Sequence, residues 1–360
     1  MTVEFPATAP SLRRVRVCYF NTWAQGLEPA AGYLARLPAL DLGPLVADRH
    51  DAALLVKARL DCDWYGENTR AFAAMAHDGV EFLPAWVTGL DGVLQLAKAP
   101  RPAGEERWLI VMAHQPQAMK GIPGKILAFL RQCGVRVLFY AFDEASRAMP
   151  CFREIAPHLA VLIHDEFPLE SGGALLLKPE CRTRHQSWVA NTLPWATPFV
   201  GEPEARILFL GSELGLTPHR QRQFDCLTKY FGDRFSAIHD HSVSVGERHR
   251  LAQRFKVSLC PEGRKFVTPA MSLTHTDRPF WSGCLGLVPV SENSATGGRL
   301  DELTREKLLV RYSHGDLSAL VAACEHALAA SVADRRRIYD HFNRYETVGT
   351  VVAAAIYAAP

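Results

Sequence analysis

A chain of 360 residues, 48% of them hydrophobic, has enough apolar side chain for two cores. Its formal net charge of +2 lacks the basic excess of a nucleic-acid binder, so no nucleic-acid partner is expected. Nine cysteines at scattered positions with no CxxC pair read as reduced, mostly buried thiols of a cytoplasmic protein; Cys62, Cys133, Cys226 and Cys260 lie in apolar or mixed surroundings.

The opening MTVEFPATAPSLRR has an early Glu and no apolar core, so no signal peptide is expected. RVRVCYF (14–20) then reads as a buried strand, with Asn21 and Gly26 in the loop that follows it. RWLIVMAH (107–114), VRVLFYAF (135–142) and LAVLIH (159–164) repeat the pattern. Between them the helix KILAFLRQCG closes on Gly134 as a C-cap. Strands alternating with helices imply a parallel sheet.

NTLPWATPFVGEPEA (191–205) is rich in Pro and without periodicity, a linker. A second series follows it. RILFLGS (206–212), RFKVSLCPEG (254–263), LGLVPVSE (285–292) and KLLVRYS (307–313) are strands, and HRQRQFDCLTKYFGD is an amphipathic helix ending at Gly232. GDLSALVAACEHALAA is a helix with Asp316 at its positive end. The helix from Ala333 to Tyr345 carries Arg335, Arg336, Arg337 and Arg344, read either as a solvated face or as a peripheral contact with an anionic membrane. TVVAAAIYAA is too short to span a bilayer and is expected to pack as a helix or tail. The expected fold is α/β, with two Rossmann-like domains facing across a cleft: residues 1–195, residues 196–345, and a C-terminal segment 346–360. Ligands in such sheets bind outside the carboxyl ends of the strands.

Several chemistries are excluded by spacing. GIPGK lacks the Walker spacing and hydroxyl, FNTWAQG has a single glycine, and no GxSxG elbow occurs. His239-Asp240-His241 would point alternately to opposite faces of an extended chain, so no metal site is expected there. The turn Gly211-Ser212-Glu213 after RILFL is more promising, with Arg220 and Arg222 in the next helix. Small residues there leave backbone N–H groups open to a phosphate, and Arg adds charge. The plainer reading is an ordinary strand–helix turn.

The run KVSLCPEG … DRPFWSGCLGLVPVSEN resembles the donor-site segment of nucleotide-sugar glycosyltransferases of the GT-B type, and is most similar to exostosin-like and fucosyltransferase-like members. The likeness covers about residues 205–330, with Arg278 in the basic position, Gly286 in the turn and Val288-Pro289-Val290 in the strand. VLFYAFDEAS and VANTLPWATP also look like their counterparts in bacterial relatives. Where those families place a Glu three residues after the basic one, to hold the ribose, this chain has Trp281. Asp277 would then substitute, or Trp281 would stack on a base or sugar.

The resemblance implies a metal-independent transferase with no cofactor beyond its nucleotide-sugar donor and a glycan or lipid-linked acceptor, at the cytoplasmic side of bacterial surface polysaccharide synthesis. Donor contacts would come from Gly211, Ser212, Arg220, Glu262, Gly263, His275, Asp277, Arg278, Trp281 and Glu292, with Arg222 and Arg264 in reserve. The acceptor's base would be one of Asp143, Glu144, Asp165 and His114, near strand ends of the first half. An N-cap or a solvated loop is the plainer reading of each. A CMP-linked sugar-acid donor, a binder without turnover, and a nucleotide-sugar epimerase are the alternatives.

Overall fold

A computed structural model of the chain describes residues 12–21, 75–87, 89–113, 124–141, 155–164, 179, 181–185, 198–211, 217–239, 245–261, 278–293 and 298–359. The first series comprises β1 (Arg13–Asn21), β2 (Val80–Val87), α1 (Gly89–Lys98), β3 (Glu105–Ala113), α2 (Gly124–Gln132), β4 (Val135–Ala141), β5 (Val161–His164) and β6 (Arg182–His185). The second comprises β7 (Glu204–Leu210), α3 (Pro218–Phe231), β8 (Phe235–Ile238), α4 (Val245–Ala252), β9 (Phe255–Cys260), α5 (Arg278–Cys284), β10 (Val288–Asn293), α6 (Gly298–Arg305) and β11 (Val310–Ser313). Three helices end the chain: α7 (Leu317–Leu328), α8 (Val332–Tyr345) and α9 (Val348–Tyr357).

Both sheets are parallel throughout and wound alike. The first has the order β2-β1-β3-β4-β5-β6 and the second β11-β10-β9-β7-β8. In each, the leading strand is flanked by its second and third strands, so the winding direction reverses beside it. That reversal opens a crevice at the carboxyl ends of β1 and β3, and of β7 and β9. The expected pair of Rossmann-like α/β halves is present.

Strands buried on both faces need near-continuous apolar runs. In the first sheet Val15, Val17, Trp108, Ile110, Leu138, Tyr140, Val161 and Ile163 fill one face, while Cys18, Leu109, Val111, Val137, Phe139 and Leu162 pack on the other against α1 and α2. The helices are delimited by their termini. Thr217 caps α3 by accepting from Arg220 N, Pro218 supplies the first turn, and Gly232 ends the helix at φ 59°. Asp316 caps α7, and Ser331 with Asp334 forms a capping box on α8.

The C-terminal segment is a helix with a specific place. Val348, Val351, Val352, Ala353, Ala355 and Ile356 of α9 lie in the core of the first sheet, beside Val15 and Trp108. Each fully buried Val or Ile there contributes about 1.5–3 kcal/mol of gross hydrophobic stabilisation. The chain leaves α8, which packs on α5 in the second half, and returns to the first within two residues. Glu346, 1% exposed, holds that joint by accepting from Arg299 and His341. Burial pushes the Glu346 carboxyl up, but His341 and Arg299 outweigh it and hold it below the usual carboxylate range. Among the described residues no single helix is long and apolar enough to cross a bilayer.

Two expectations need correction. Arg336, Arg337 and Arg344 of α8 are exposed as a solvated face would be, but Arg335 is not part of it. Arg335 is buried and donates to the carbonyls of Gly286, Gly201 and Val200 at 2.9, 3.0 and 3.0 Å. Desolvation pushes its guanidinium down to about 10. Arg337 donates to the carbonyls of Glu306 and Lys307, and Arg336 pairs with Asp340. Nor is the end of the Pro-rich stretch a free linker. Phe199 packs under Gly286 and Tyr339, Pro198 accepts from Gln253, and Arg335 binds the carbonyls that follow. The seven cysteines among the described residues are thiols outside any disulfide; Cys18, Cys260, Cys284 and Cys324 are buried.

Candidate functional site

The crevice between β7 and β9 is flanked by two arginines. β7 ends at Leu210, and Gly211 follows with its N–H donated to Ile238 O at 3.1 Å. Arg278, the first residue of α5, is half-buried and donates its Nε to Leu210 O at 3.1 Å. A Cβ on Gly211 would lie 2.9 Å from Arg278 Nη2 and 2.7 Å from Phe209 Cζ. Glycine is required here by close approach, not by a left-handed backbone. Arg278 Cζ also stands 5.2 Å from the Phe209 ring centre, within cation–π range. Among the described residues no carboxylate pairs with it.

Arg220, in the first turn of α3, is 2% exposed and reaches Pro261 O at the end of β9 at 3.4 Å. Its Cζ lies 5.7 Å from the same Phe209 ring. Two guanidiniums from different helices thus converge on the carboxyl ends of β7 and β9. Arg222, two residues on, is exposed and turned away.

Glu292 lies near the end of β10, and its side chain is fully buried against α3 and the loop after β11. Its Oε1 lies 2.7 Å from His219 Nε2, 3.0 Å from Gln223 Nε2, 3.0 Å from His314 Nδ1 and 3.1 Å from Gly315 N. Tyr312 donates its hydroxyl to Gln223 Oε1 at 3.3 Å, which orients the amide. Trp281 is half-buried, packs with Leu208, Ala252, Phe255, Leu285 and Leu287, and donates its Nε1 to His249 Nε2 at 3.1 Å. Gly286 takes the tight turn at φ +77°, a backbone position that favours glycine.

The structure therefore brings Gly211, Arg278 and Arg220 to one edge, with Glu292 beneath it and Trp281 against α4. Ser212, Glu262, Gly263, His275, Asp277 and Arg264 lie outside the described residues, as do Asp143, Glu144, Asp165 and His114. His219, Gln223 and His314 are absent from the sequence-derived candidates. They are separated from Glu292 by 73, 69 and 22 positions, and no local spacing announces them.

No family model matches the chain, and no curated protein matches it by sequence. Solved structures are similar in overall arrangement. A Thermobaculum terrenum O-GlcNAc transferase mutant is 13% identical with a TM-score of 0.46, over 100% of this chain and 69% of that one. A trehalose-6-phosphate structure from E. coli, bound with UDP-2-fluoro glucose, is 11% identical with a TM-score of 0.41, over 96% and 98%. A lipopolysaccharide outer core galactosyltransferase in its apo form is 9% identical with a TM-score of 0.40, over 96% and 99%. At TM-scores below 0.5 these likenesses leave the functional reading to the geometry of the edge.

Proposed function

We propose that the chain is a GT-B-type glycosyltransferase whose nucleotide-sugar donor binds at the carboxyl ends of β7 and β9. The observation that carries this reading is Arg278. It is a half-buried guanidinium without a carboxylate partner among the described residues, held against Leu210 O at the carboxyl end of a switch-point strand, beside a glycine that leaves room for it. A diphosphate leaving group needs a fixed positive charge and exposed N–H groups, and Arg278 would supply the charge at this edge. Arg220 acts from below as a positioning group, since its burial against Pro261 O keeps β9 and α3 in register.

In this reading Ser212, Glu262, Gly263, His275 and Asp277 complete the donor contacts, and Asp143, Glu144, Asp165 or His114 deprotonates the acceptor. The acceptor is a glycan or lipid-linked sugar of bacterial surface polysaccharide, met at the cytoplasmic side. The second reading is a nucleotide-sugar binder without turnover. Trp281 favours it, because the position that would hold a ribose-binding Glu is occupied by an indole already bonded to His249.

A thermal-shift panel of UDP, GDP, CMP, dTDP and ADP tests the site. A ligand at 100 times its Kd adds about 2.7 kcal/mol to apparent stability. One nucleotide is expected to raise the Tm of the wild type and to lose that effect in Arg278→Ala; CMP as the one would assign a sugar-acid donor. No response to any nucleotide would overturn the proposal. Slow hydrolysis of the matching sugar nucleotide separates the transferase from the binder.

A further inference from the structure

The surroundings of Glu292 hold a contradiction that hydrogen bonding alone does not resolve. Four nitrogens lie within 3.1 Å of Oε1: His219 Nε2, Gln223 Nε2, His314 Nδ1 and Gly315 N. One carboxylate oxygen offers about two lone-pair sites. The Gly315 amide is a fixed donor, and Tyr312 holds the Gln223 amide with its nitrogen toward Glu292. These two already fill the oxygen's ordinary capacity. Reversing the Gln223 amide gives no relief, because its oxygen would then sit 3.0 Å from the carboxylate.

His219 Nε2 is caught between two neighbours that want opposite things. It lies 2.7 Å from the carboxylate oxygen and 3.0 Å from Gln223 Nε2. With a hydrogen it meets the amide's donor; without one it meets the carboxylate's lone pairs. The two imidazoles stack face to face, with centroids 4.6 Å apart and planes 21° apart, and each keeps a ring nitrogen within 3.0 Å of Glu292 Oε1. A cation nearby relieves this crowding. His219 Nε2 and His314 Nδ1 then stop competing with Gln223 and Gly315 as donors to Oε1 and instead ligate the cation together with the Glu292 carboxylate.

We propose that His219, Glu292 and His314 form a three-ligand site for a divalent cation of the zinc class. Two imidazoles and one carboxylate suit a borderline metal in preference to calcium or magnesium, which favour all-oxygen ligation. The three ligand atoms lie within 4.8 Å of one another. Tetrahedral zinc with bonds of about 2.0–2.1 Å to nitrogen needs about 3.3 Å between ligands, so the two imidazoles turn out of their stack to bind it. The His314 side chain is 43% exposed and that of His219 23%, so the metal has an entry path and an open fourth position toward solvent. Gln223, held by Tyr312, is the outer support that fixes the Glu292 carboxylate. Bound there, the cation ties the first turn of α3 to the end of β10 and the β11–α7 loop. The site stands whether or not the neighbouring crevice takes a sugar nucleotide.

Full-length protein stripped with chelator and titrated with zinc chloride is expected to bind one equivalent by calorimetry. Cobalt(II) in its place is expected to give the visible bands of a low-coordinate nitrogen–oxygen site. His314→Ala, on the half-exposed side, is expected to fold with an unchanged metal-free Tm, to lose the cobalt bands and to weaken zinc binding by about tenfold or more. Glu292→Gln keeps the volume and is expected to abolish binding. Absence of saturable zinc binding by the wild type would overturn the proposal. So would His219→Ala and His314→Ala variants that bind zinc as tightly as wild type, since the metal would then sit elsewhere.

Discussion

The two sheets share one winding but bury their charges at opposite ends. In the first, described charges gather at the amino end. Arg16 makes a two-pronged contact with Glu105 at 3.0 and 3.1 Å, Arg13 does the same to Glu106, and Arg107 ties Glu105 to the carbonyls of Leu96, Ala99 and Pro100. Every guanidinium in that set reaches a carboxylate. In the second sheet Arg278, Arg220, Glu292 and Gln223 gather at the carboxyl end, where Arg278 has no carboxylate partner among the described residues and Glu292 is overcrowded. A satisfied network stabilises a fold, whereas an unsatisfied one at a switch point is poised for something from outside.

The contrast makes its largest prediction at Glu105, whose side chain is fully buried. Burial pushes this carboxyl up, but the bonds from Arg16 and Arg107 outweigh it and hold it below the usual range. A carboxylate lowered in the folded state stabilises the protein above its unfolded value, about 4.3, and that contribution fades as pH falls through the folded value. Glu105→Gln leaves Arg107 buried beside a neutral group and is expected to cost about 3–5 kcal/mol by urea denaturation at neutral pH. The loss should shrink below pH 4, where the wild type also protonates. Nucleotide and zinc responses of the folded variant should match the wild type. Loss of either response would erase the distinction between the two ends.

What the sequence makes legible follows from where a strand sits in its sheet. β1, β3, β4, β5, β7, β9 and β10 are flanked on both sides, and their uninterrupted apolar runs mark them. Of the four edge strands β2, β6, β8 and β11, the first three escape such a reading, while KLLVRYS still marks β11. β2 carries Pro84, tolerated where one side needs no ladder donor; β6 reads RTRH; β8 is four residues long. The edge at Gly211 and Arg278 is legible because turn glycines and an N-terminal Arg keep their local context. The trio around Glu292 is not, since it forms only when α3, β10 and the β11–α7 loop meet. The arginines of α8 mislead for a related reason: nothing local says that Arg335 meets three carbonyls while its neighbour Arg336 meets solvent.

At the carboxyl end the expected pattern inverts. Gly211→Ala forces a Cβ against Phe209 and Arg278, and overpacking of this kind costs about 1–3 kcal/mol. The Arg278 end is the more flexible neighbour, so the guanidinium is expected to move and the nucleotide-induced Tm rise to be lost. Measured beside Glu105→Gln, this variant should be the more stable of the two and the worse binder. An alanine that binds nucleotide like the wild type would show that Arg278 does not set the site.

The smallest effect is expected at Trp281, and it sharpens the comparison most. Its indole N–H donates to His249, and its ring packs with α4 residues and the strand residue Leu208. In this arrangement it belongs to the satisfied class, although it lies one helical turn beyond Arg278. Trp281→Phe keeps most of the packing and removes one hydrogen bond, worth about 0.5–1.5 kcal/mol. Nucleotide binding should then persist, with the base preference of the wild type. A stability loss of that size together with abolished binding would mean that the indole turns to stack on the donor, and the carboxyl-end site would extend one helical turn further along α5.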